Sequence, residues 1–537
     1  MKNLFKKCTL IIASCLLFLS CDSELDLRPE DSRLIADDVF VDVAGYKSVL
    51  AKLYAGLNLT GQAGPAGNGD IAGLDEGFSS YLRMYFYLQE LTADTGVIAW
   101  ADGTIQTLNA HTWTSGSEFN RAMYDRIFYQ VAAVNDFLRQ STPELVAARG
   151  ITGADADEIA AFRAEARFLR ALSYWHALDL YGNVPFVTEA DPVGLFLPEQ
   201  INRADLFNWL ETELLDLENE MIDARQNEYA RADKAGVWIL LAKLYLNAEV
   251  YIGQDRYTDC VTQCNKIINA GYSIPNTPYT WSFLADNDSN GAQNEVIFPV
   301  TSDGLRTQAF GLPTFLVHAG VGGEMSNQNL EQVYGINFGW QGLRVTPQFV
   351  ELFPGEENTA DGRGLFWTQG QEKNIMDIFN FRDGFAMEKF RNITSTGEPG
   401  SDPNFDIPDT DFPMFRLADV YLMYAEAVLR GGSGGDIGTA TTFINELRER
   451  AYGDTSGNIT TGDLTLNFVL DERARELYWE NHRRTDMVRF NRFTQNSVWP
   501  FKSGVQAGAP SQSFRDVFPI PATDLGVNTN LTQNPGY

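Results

Sequence analysis

Two tryptophans stand in surroundings that suit them to binding rather than packing. Trp100 lies in Ala99-Trp100-Ala101-Asp102-Gly103 and Trp340 in Phe338-Gly339-Trp340-Gln341-Gly342, both in glycine-flanked loops and both outside any amphipathic helix. A flat apolar ring on a loop can stack on the C–H face of a sugar while nearby planar polar groups pair with its hydroxyls. Trp175, Trp238 and Trp479 instead fall on helical stripes and are expected in the core. A second chemistry is offered by oxygen donors. Asp286-Asn287-Asp288-Ser289-Asn290 and Asp409-Thr410-Asp411 gather hard ligands of the kind Ca²⁺ collects. No Gly-spaced calcium-loop pattern accompanies them, so they suit a cation site and solvated turns alike.

Catalytic signatures are missing from the sequence. The four histidines, His111, His176, His318 and His482, form no His-Glu-x-x-His metal motif, no Gly-x-x-x-x-Gly-Lys loop occurs, and the Gly-x-Ser-x-Gly match at Gly431–Gly435 falls in the turn between two predicted helices, not at a strand-to-helix elbow. A glycoside hydrolase needs only two suitably spaced carboxylates, and 71 acids supply such pairs everywhere, so their presence decides nothing. The residues favour a binder over an enzyme.

These loops need a scaffold, and the remaining sequence is mostly helical in period. Residues 155–181 carry Ile159, Phe162, Phe168, Leu169, Leu172, Trp175 and Leu178 on one stripe and stop at Gly182-Asn183 and Pro185. Residues 231–251 and 255–270 predict two more helices joined by a short turn at Gly253, and 411–430 with 439–450 a second such pair. Residues 467–490 read as one long helix whose Arg/Glu alternation, continuing through 471–492, suits a docking surface or a solvated face. The expected fold is mainly α, a tetratricopeptide-like scaffold of helical pairs. Loop-rich insertions at about 60–117 and 272–410 are the places to look for a ligand. Cys260 and Cys264, four apart on one helix face, read as two small buried side chains rather than a disulfide or metal pair.

The N-terminus reads as an export signal. Lys2, Lys6 and Lys7 precede the apolar run Leu10 to Leu19, and the small Ser20 precedes Cys21. The run is too short to span a bilayer, which takes about 20 apolar residues. Ser20-Cys21 resembles the lipobox of bacterial lipoproteins, whose cysteine is acylated after cleavage, giving a signal peptide over 1–20 and a mature chain over 21–537. Ile12-Ala13-Ser14-Cys15 is a rival site, but cleavage there would leave Leu16 to Leu19 bare, whereas Cys21 opens an acidic tether. Formal net charge is −30, an imbalance that repels phosphate backbones and excludes nucleic acid as a main partner. A neutral ligand suits it better.

Five blocks in order then carry a resemblance: FRAEARFLRALSYWHALDLYGNVPF, RADKAGVWILLAKLYLNAEVY, DTDFPMFRLADVYLMYAEAVLR, LDERARELYWENHRRTDMVRF and the C-terminal FPIPATDL with NLTQNPGY. Together they resemble the SusD/RagB lipoproteins of the Bacteroidetes over essentially the whole mature chain. The resemblance implies a non-catalytic surface protein that captures oligosaccharides and hands them to a SusC-like TonB-dependent transporter, anchored in the outer membrane through Cys21. Within that family the chain looks most like the starch-binding branch. DEGFSSYLRMYF, GVIAWADG, QAFGLPTFLV and INFGW then place Arg83, Trp100, Phe310 and Trp340 in the sugar site, with Asp102 where an asparagine is usual. Phe310 replaces a tyrosine, which keeps the stacking face and removes a hydrogen bond. From the residues alone, Arg83 could equally pair with Asp75 or Glu76. The resemblance also favours a structural Ca²⁺ held by Asp288, Asp409 and Asp411.

Overall fold

The computed structural model describes residues 35–62, 64, 65 and 69–537. Cys21 and the expected signal segment lie outside them. The helices that matter for the site are α1 (Val43–Ala55), α2 (Tyr81–Gln89), α3 (Glu118–Gln140), α4 (Ala154–Leu180), α5 (Arg203–Glu220), α6 (Lys234–Leu246) and α7 (Tyr257–Ile268). After them come α8 (Leu312–Ala319), α9 (Leu417–Leu429), α10 (Ile437–Tyr452), α11 (Leu466–Leu477) and α12 (Arg483–Arg489). Four short strands count: β1 (Val97–Ile98), β2 (Val296–Val300), β3 (Leu343–Arg344) and β4 (Phe412–Arg416).

Helices pack in consecutive pairs, α3 on α4, α6 on α7 and α9 on α10, and the pairs meet through α4 against α5 and α7 against α9. Their starts are written locally. The side chains of Asn202, Asp233 and Asp436 accept from N–H groups in the first turns of α5, α6 and α10, each cap contributing about 1 kcal/mol. The stripe expected in α4 is buried throughout, Ile159, Phe162, Phe168, Leu169, Leu172 and Leu178 included. Each such side chain adds roughly 1.5–3 kcal/mol of burial. The mainly helical, paired fold expected from periodicity is the one observed. Cys260 and Cys264 are both free and buried in α7. Among the described residues, no helix is long and apolar enough to cross a membrane.

Three expectations are corrected. The stretch 411–430 does not begin as helix: Phe412–Arg416 is β4, paired antiparallel with β2. Pro413 has no N–H for a helical ladder, and the alternating Phe412, Met414 and neighbouring Phe415 suit a half-irregular strand. The stretch 467–490 is not one helix either. It breaks between α11 and α12, where Trp479 and Asn481 take φ of 60° and 68°. That break lets the Trp479 indole donate to the Thr95 carbonyl at 3.2 Å and turns Glu480 toward Lys389 (2.7 Å) and Arg416 (2.6 Å). Finally, the Arg/Glu alternation is neither docking surface nor solvated face. Glu472, Arg473, Arg475, Glu476, Arg483, Arg484, Asp486 and Arg489 are all buried.

These charges hold one another. Glu476 accepts from Arg363 (3.0 Å) and Arg416 (2.7 Å) and pairs with Arg450, while Glu472 meets Arg363 (2.9 Å), Arg448 (2.9 Å) and Arg475 (2.7 Å). Burial alone would raise the Glu472 carboxyl, but Arg363, Arg475 and Arg448 hold it down at about 2. Asp486, buried likewise, is held at about 2 by Arg473 and Arg489. Buried ion pairs add little net stability over a well-packed apolar core, but breaking one is costly. The network therefore fixes where α9 to α12 lie.

Candidate functional site

The insertion around residues 60–117 holds a fully buried helix, α2. Phe86 and Tyr87 meet Phe315 of α8 at 5.5 and 5.4 Å, while Tyr81 and Tyr85 pack on His176 of α4. Arg83 and Tyr87, one turn apart, project from this helix side by side. Arg83 Nε and Nη2 donate to the Tyr87 hydroxyl at 3.2 and 3.0 Å, and Nη1 donates to the carbonyls of Gly77 (3.0 Å) and Phe310 (2.9 Å). The guanidinium also lies 4.7 Å from the Phe315 ring centre and 5.9 Å from that of Trp340. Its five N–H groups are thus largely taken, with one on Nη2 remaining for a ligand. The alternative pairing with Asp75 or Glu76 is not what holds this side chain.

A two-residue ladder brings the tryptophans together. β1 and β3 pair antiparallel, Val97 opposite Arg344 and Ile98 opposite Leu343, and the Ala99 N–H continues the ladder to the Gly342 carbonyl at 2.9 Å. The Trp100 and Trp340 rings come to 6.3 Å at 44°, both half-buried, and the Trp100 indole N–H donates to the Trp340 carbonyl at 3.2 Å. The Gln106 amide donates to the carbonyls of Ile98 and Trp100 at 2.8 and 2.5 Å, fixing the other loop. On the far side, the N–H groups of Trp340, Gln341 and Gly342 donate to His318, Val321 and Ala319 at the end of α8. Gly342 is required by space: a Cβ there would sit 2.6 Å from Trp100 Cε2. His318 stacks under Trp340 at 4.8 Å and 25°.

Trp100, Trp340, Arg83, Tyr87, Phe78 and Phe119 line an open cleft of about 440 Å³, with exposed Asp102 on its wall. Phe310 meets Trp340 edge-on at 5.9 Å and 78° and holds Arg83 through its carbonyl. The structure therefore gathers Arg83, Trp100, Asp102 and Trp340 at one cleft, with half-buried Phe310 edge-on against Trp340. Tyr87, Phe78, Phe119 and His318 were not anticipated as partners. Tyr87 could have been found from its spacing to Arg83, and Phe78 lies five residues before that arginine; Phe119 and His318 come from distant segments. Cavities of about 410 Å³ between α1 and β2 and about 730 Å³ beside α10 do not join two tryptophans.

The acids proposed for a cation lie close together without forming a cage. Asp411 is buried; its carboxylate accepts from the Ser302 N–H (2.8 Å) and the Tyr229 hydroxyl (2.8 Å). Asp409 accepts from the Gly304 N–H (2.7 Å) and from Ser401, and Asp288 is exposed. Burial first, then neighbouring Asp288 and Asp409, push the Asp411 carboxyl up to about 7. The chemistry of the set suits a hard cation, but among the described residues no three His, Cys, Asp or Glu side chains converge as a metal site.

Comparison with known proteins agrees with the fold. The sequence model of the SusD family matches residues 379–537. Starch-binding protein SusD of Bacteroides thetaiotaomicron is 35% identical across 96% of this chain and 96% of its own. SusD-like protein P25 of Formosa agariphila is 28% identical across 70% of this chain and 73% of its own. Among solved structures, a SusD superfamily protein from Bacteroides thetaiotaomicron superposes with a TM-score of 0.69 at 19% identity, over 92% of this chain and 100% of that one. Surface glycan-binding protein A from the same species, solved with laminarihexaose, gives 0.66 at 17%, over 91% and 99%. Those two likenesses concern the fold alone. With 35% identity running through nearly the entire sequence and an aromatic cleft on a paired-helix scaffold, the chain belongs to the SusD family of non-catalytic glycan-binding proteins.

Proposed function

We propose that the chain captures an α-glucan, a starch-derived maltooligosaccharide, in the Trp100/Trp340 cleft and passes it to a SusC-like TonB-dependent transporter. In this reading it sits on the outer membrane, surface-exposed and lipid-anchored through Cys21. The observation that carries it is the pair of half-buried tryptophans fixed by the β1–β3 ladder beside Arg83. Stacking faces, a guanidinium and the exposed Asp102 carboxylate are the groups a neutral sugar chain needs. The relative named for starch binding supports the α-glucan choice. A β-glucan is the second reading, favoured by the structural neighbour solved with laminarihexaose.

Calorimetric titration of the soluble form starting after Cys21 tests this, with maltoheptaose, laminari-oligosaccharides and alginate oligosaccharides, on the parent and on Trp100→Ala/Trp340→Ala. Maltoheptaose binding lost in the double variant supports the reading; selective laminari binding moves it to the β-glucan; binding of none removes it. Cys21→Ala should release a folded protein from membranes, and retention at high salt would refute the anchor. Co-purification with a large barrel from mildly solubilised membranes would support the transporter, and its absence would count against it.

The proposal includes a structural Ca²⁺ across Asp288, Asp409 and Asp411. A divalent cation would offset the burial, and after it the neighbouring Asp288 and Asp409 charges, that push the Asp411 carboxyl up to about 7. Added calcium should then raise the thermal midpoint and a chelator lower it, and no response in the parent protein would exclude the ion.

A further inference from the structure

The loop that supplies Trp340 also displays Phe338, and its setting differs from that of every other aromatic near the cleft. Phe338 is 54% exposed, yet its backbone is tightly held. The Asn337 N–H donates to the Phe405 carbonyl at 2.8 Å, the Phe338 carbonyl lies 2.8 Å from His318 Nδ1, and the Trp340 N–H donates to the His318 carbonyl at 2.9 Å. Gly339 between the two aromatics presses so close to Val321 that a Cβ would lie 2.3 Å from its carbonyl oxygen. A single exposed apolar ring is ordinary on a protein surface; what sets Phe338 apart is that this rigid backbone holds it two residues from Trp340.

Its position says what it is for. The His318 ring stacks on Trp340 at 4.8 Å and meets the Phe338 ring edge-on at 5.9 Å. Buried His318 thus acts as a spacer with Trp340 on one side and Phe338 on the other, its second nitrogen 3.0 Å from the Asp406 carbonyl. Beside Phe338 the exposed Asn337 amide is held by its Nδ2 to the Asn404 carbonyl at 3.0 Å. An exposed aromatic face next to a planar amide joins a stacking surface to a planar polar group, as Trp340 and the Arg83 guanidinium do in the cleft.

We propose that Phe338, with Asn337, forms an outer subsite that takes a further sugar unit of a glycan already seated on Trp100 and Trp340, His318 setting the spacing. The inference rests on the glycan reading of the cleft and continues that surface outward. A chain too short to pass Trp340 does not reach Phe338, so the subsite appears as a gain in affinity with chain length.

The test is titration of maltotriose, maltoheptaose, laminaritriose and laminarihexaose against the parent, Phe338→Ala, Phe338→Tyr and Trp340→Ala proteins, with thermal midpoints recorded for each. Phe338→Ala should leave the three-sugar ligand unchanged and weaken the long ligand of the bound series about 5- to 10-fold, the scale of one lost stacking face. Phe338→Tyr, which keeps the face, should restore it, and Trp340→Ala should weaken both lengths. Phe338→Ala binding both lengths like the parent, or losing both equally, overturns the outer subsite while leaving the cleft reading intact. A parent that binds no member of either series, or a Trp340→Ala variant that binds both normally, defeats the cleft reading, and the subsite falls with it.

Discussion

The layer around α11 and α12 and the aromatic cleft place their side chains in opposite ways. In the first, carboxylates and guanidinium groups sit out of water, Glu476 shared by Arg363, Arg416 and Arg450. In the second, Trp100, Trp340 and Phe338 remain partly in water. Burial therefore follows partnership rather than residue type. A charge can be interior when several opposite charges and hydrogen bonds compensate its lost hydration, and an aromatic can stay outside when its face serves a ligand. One region holds the frame and the other is the proposed binding surface.

The sharpest way to break this contrast is to unbalance the charged layer. Glu476→Gln leaves three buried guanidinium groups short of a carboxylate and should cost about 3–5 kcal/mol of stability, read by urea unfolding. A loss below about 1 kcal/mol would mean the layer is wet and loosely paired. Acid should act on the same layer. Glu472 and Asp486 are held at about 2, below their ordinary values. Their stabilisation is present above the unfolded carboxylate range and is lost as pH falls toward 2, so urea midpoints should drop steadily from about pH 4.5 downward.

Changes at the cleft should show the reverse pattern, large in affinity and small in stability. Trp100→Ala/Trp340→Ala should weaken glycan binding about 100-fold or more, with a smaller loss of stability than Glu476→Gln. Gly342→Ala pushes a methyl into Trp100 and should cost roughly 1–2 kcal/mol of affinity by turning that ring. Unchanged affinity would show that the ring angle does not matter.

The smallest effect should come from Asp411. Its carboxyl is raised to about 7, so in the folded protein ionisation costs stability as pH climbs from about 4 to 7. With chelator present, Asp411→Asn should be more stable than the parent by about 1–2 kcal/mol at pH 8, and the gain should vanish at pH 4. A variant less stable at both pH values would show that the Ser302 and Tyr229 bonds need the carboxylate itself.

Much of the frame was legible because its signals are local. The stripe of α4 and the acids that cap α6 and α10 can be read from adjacent residues. The break at Trp479 and Asn481 could not, because it is imposed by Thr95, Lys389 and Arg416 from far along the chain. Nor could the interior position of Arg473 or Arg489, since alternating charge on a helix normally faces solvent. At the cleft, glycine-flanked loops disclosed Trp100 and Trp340. Their approach depends on a ladder of two residues, 97–98 with 343–344, too short to announce itself in sequence. Phe338 was visible in the same loop, but its distinction is exposure, which only the fold assigns.

The interior ion layer has a consequence for the exterior. The chain has 41 lysines and arginines against 71 acids. Arg363, Arg416, Arg473, Arg475, Arg483, Arg484 and Arg489 are enclosed with acids that match them, so the imbalance is carried almost wholly by the outer surface. Such molecules repel one another only at close range, within a Debye length of about 8 Å at physiological salt. On a crowded membrane this would act as a short-range bumper, keeping neighbouring copies apart without hindering an uncharged sugar.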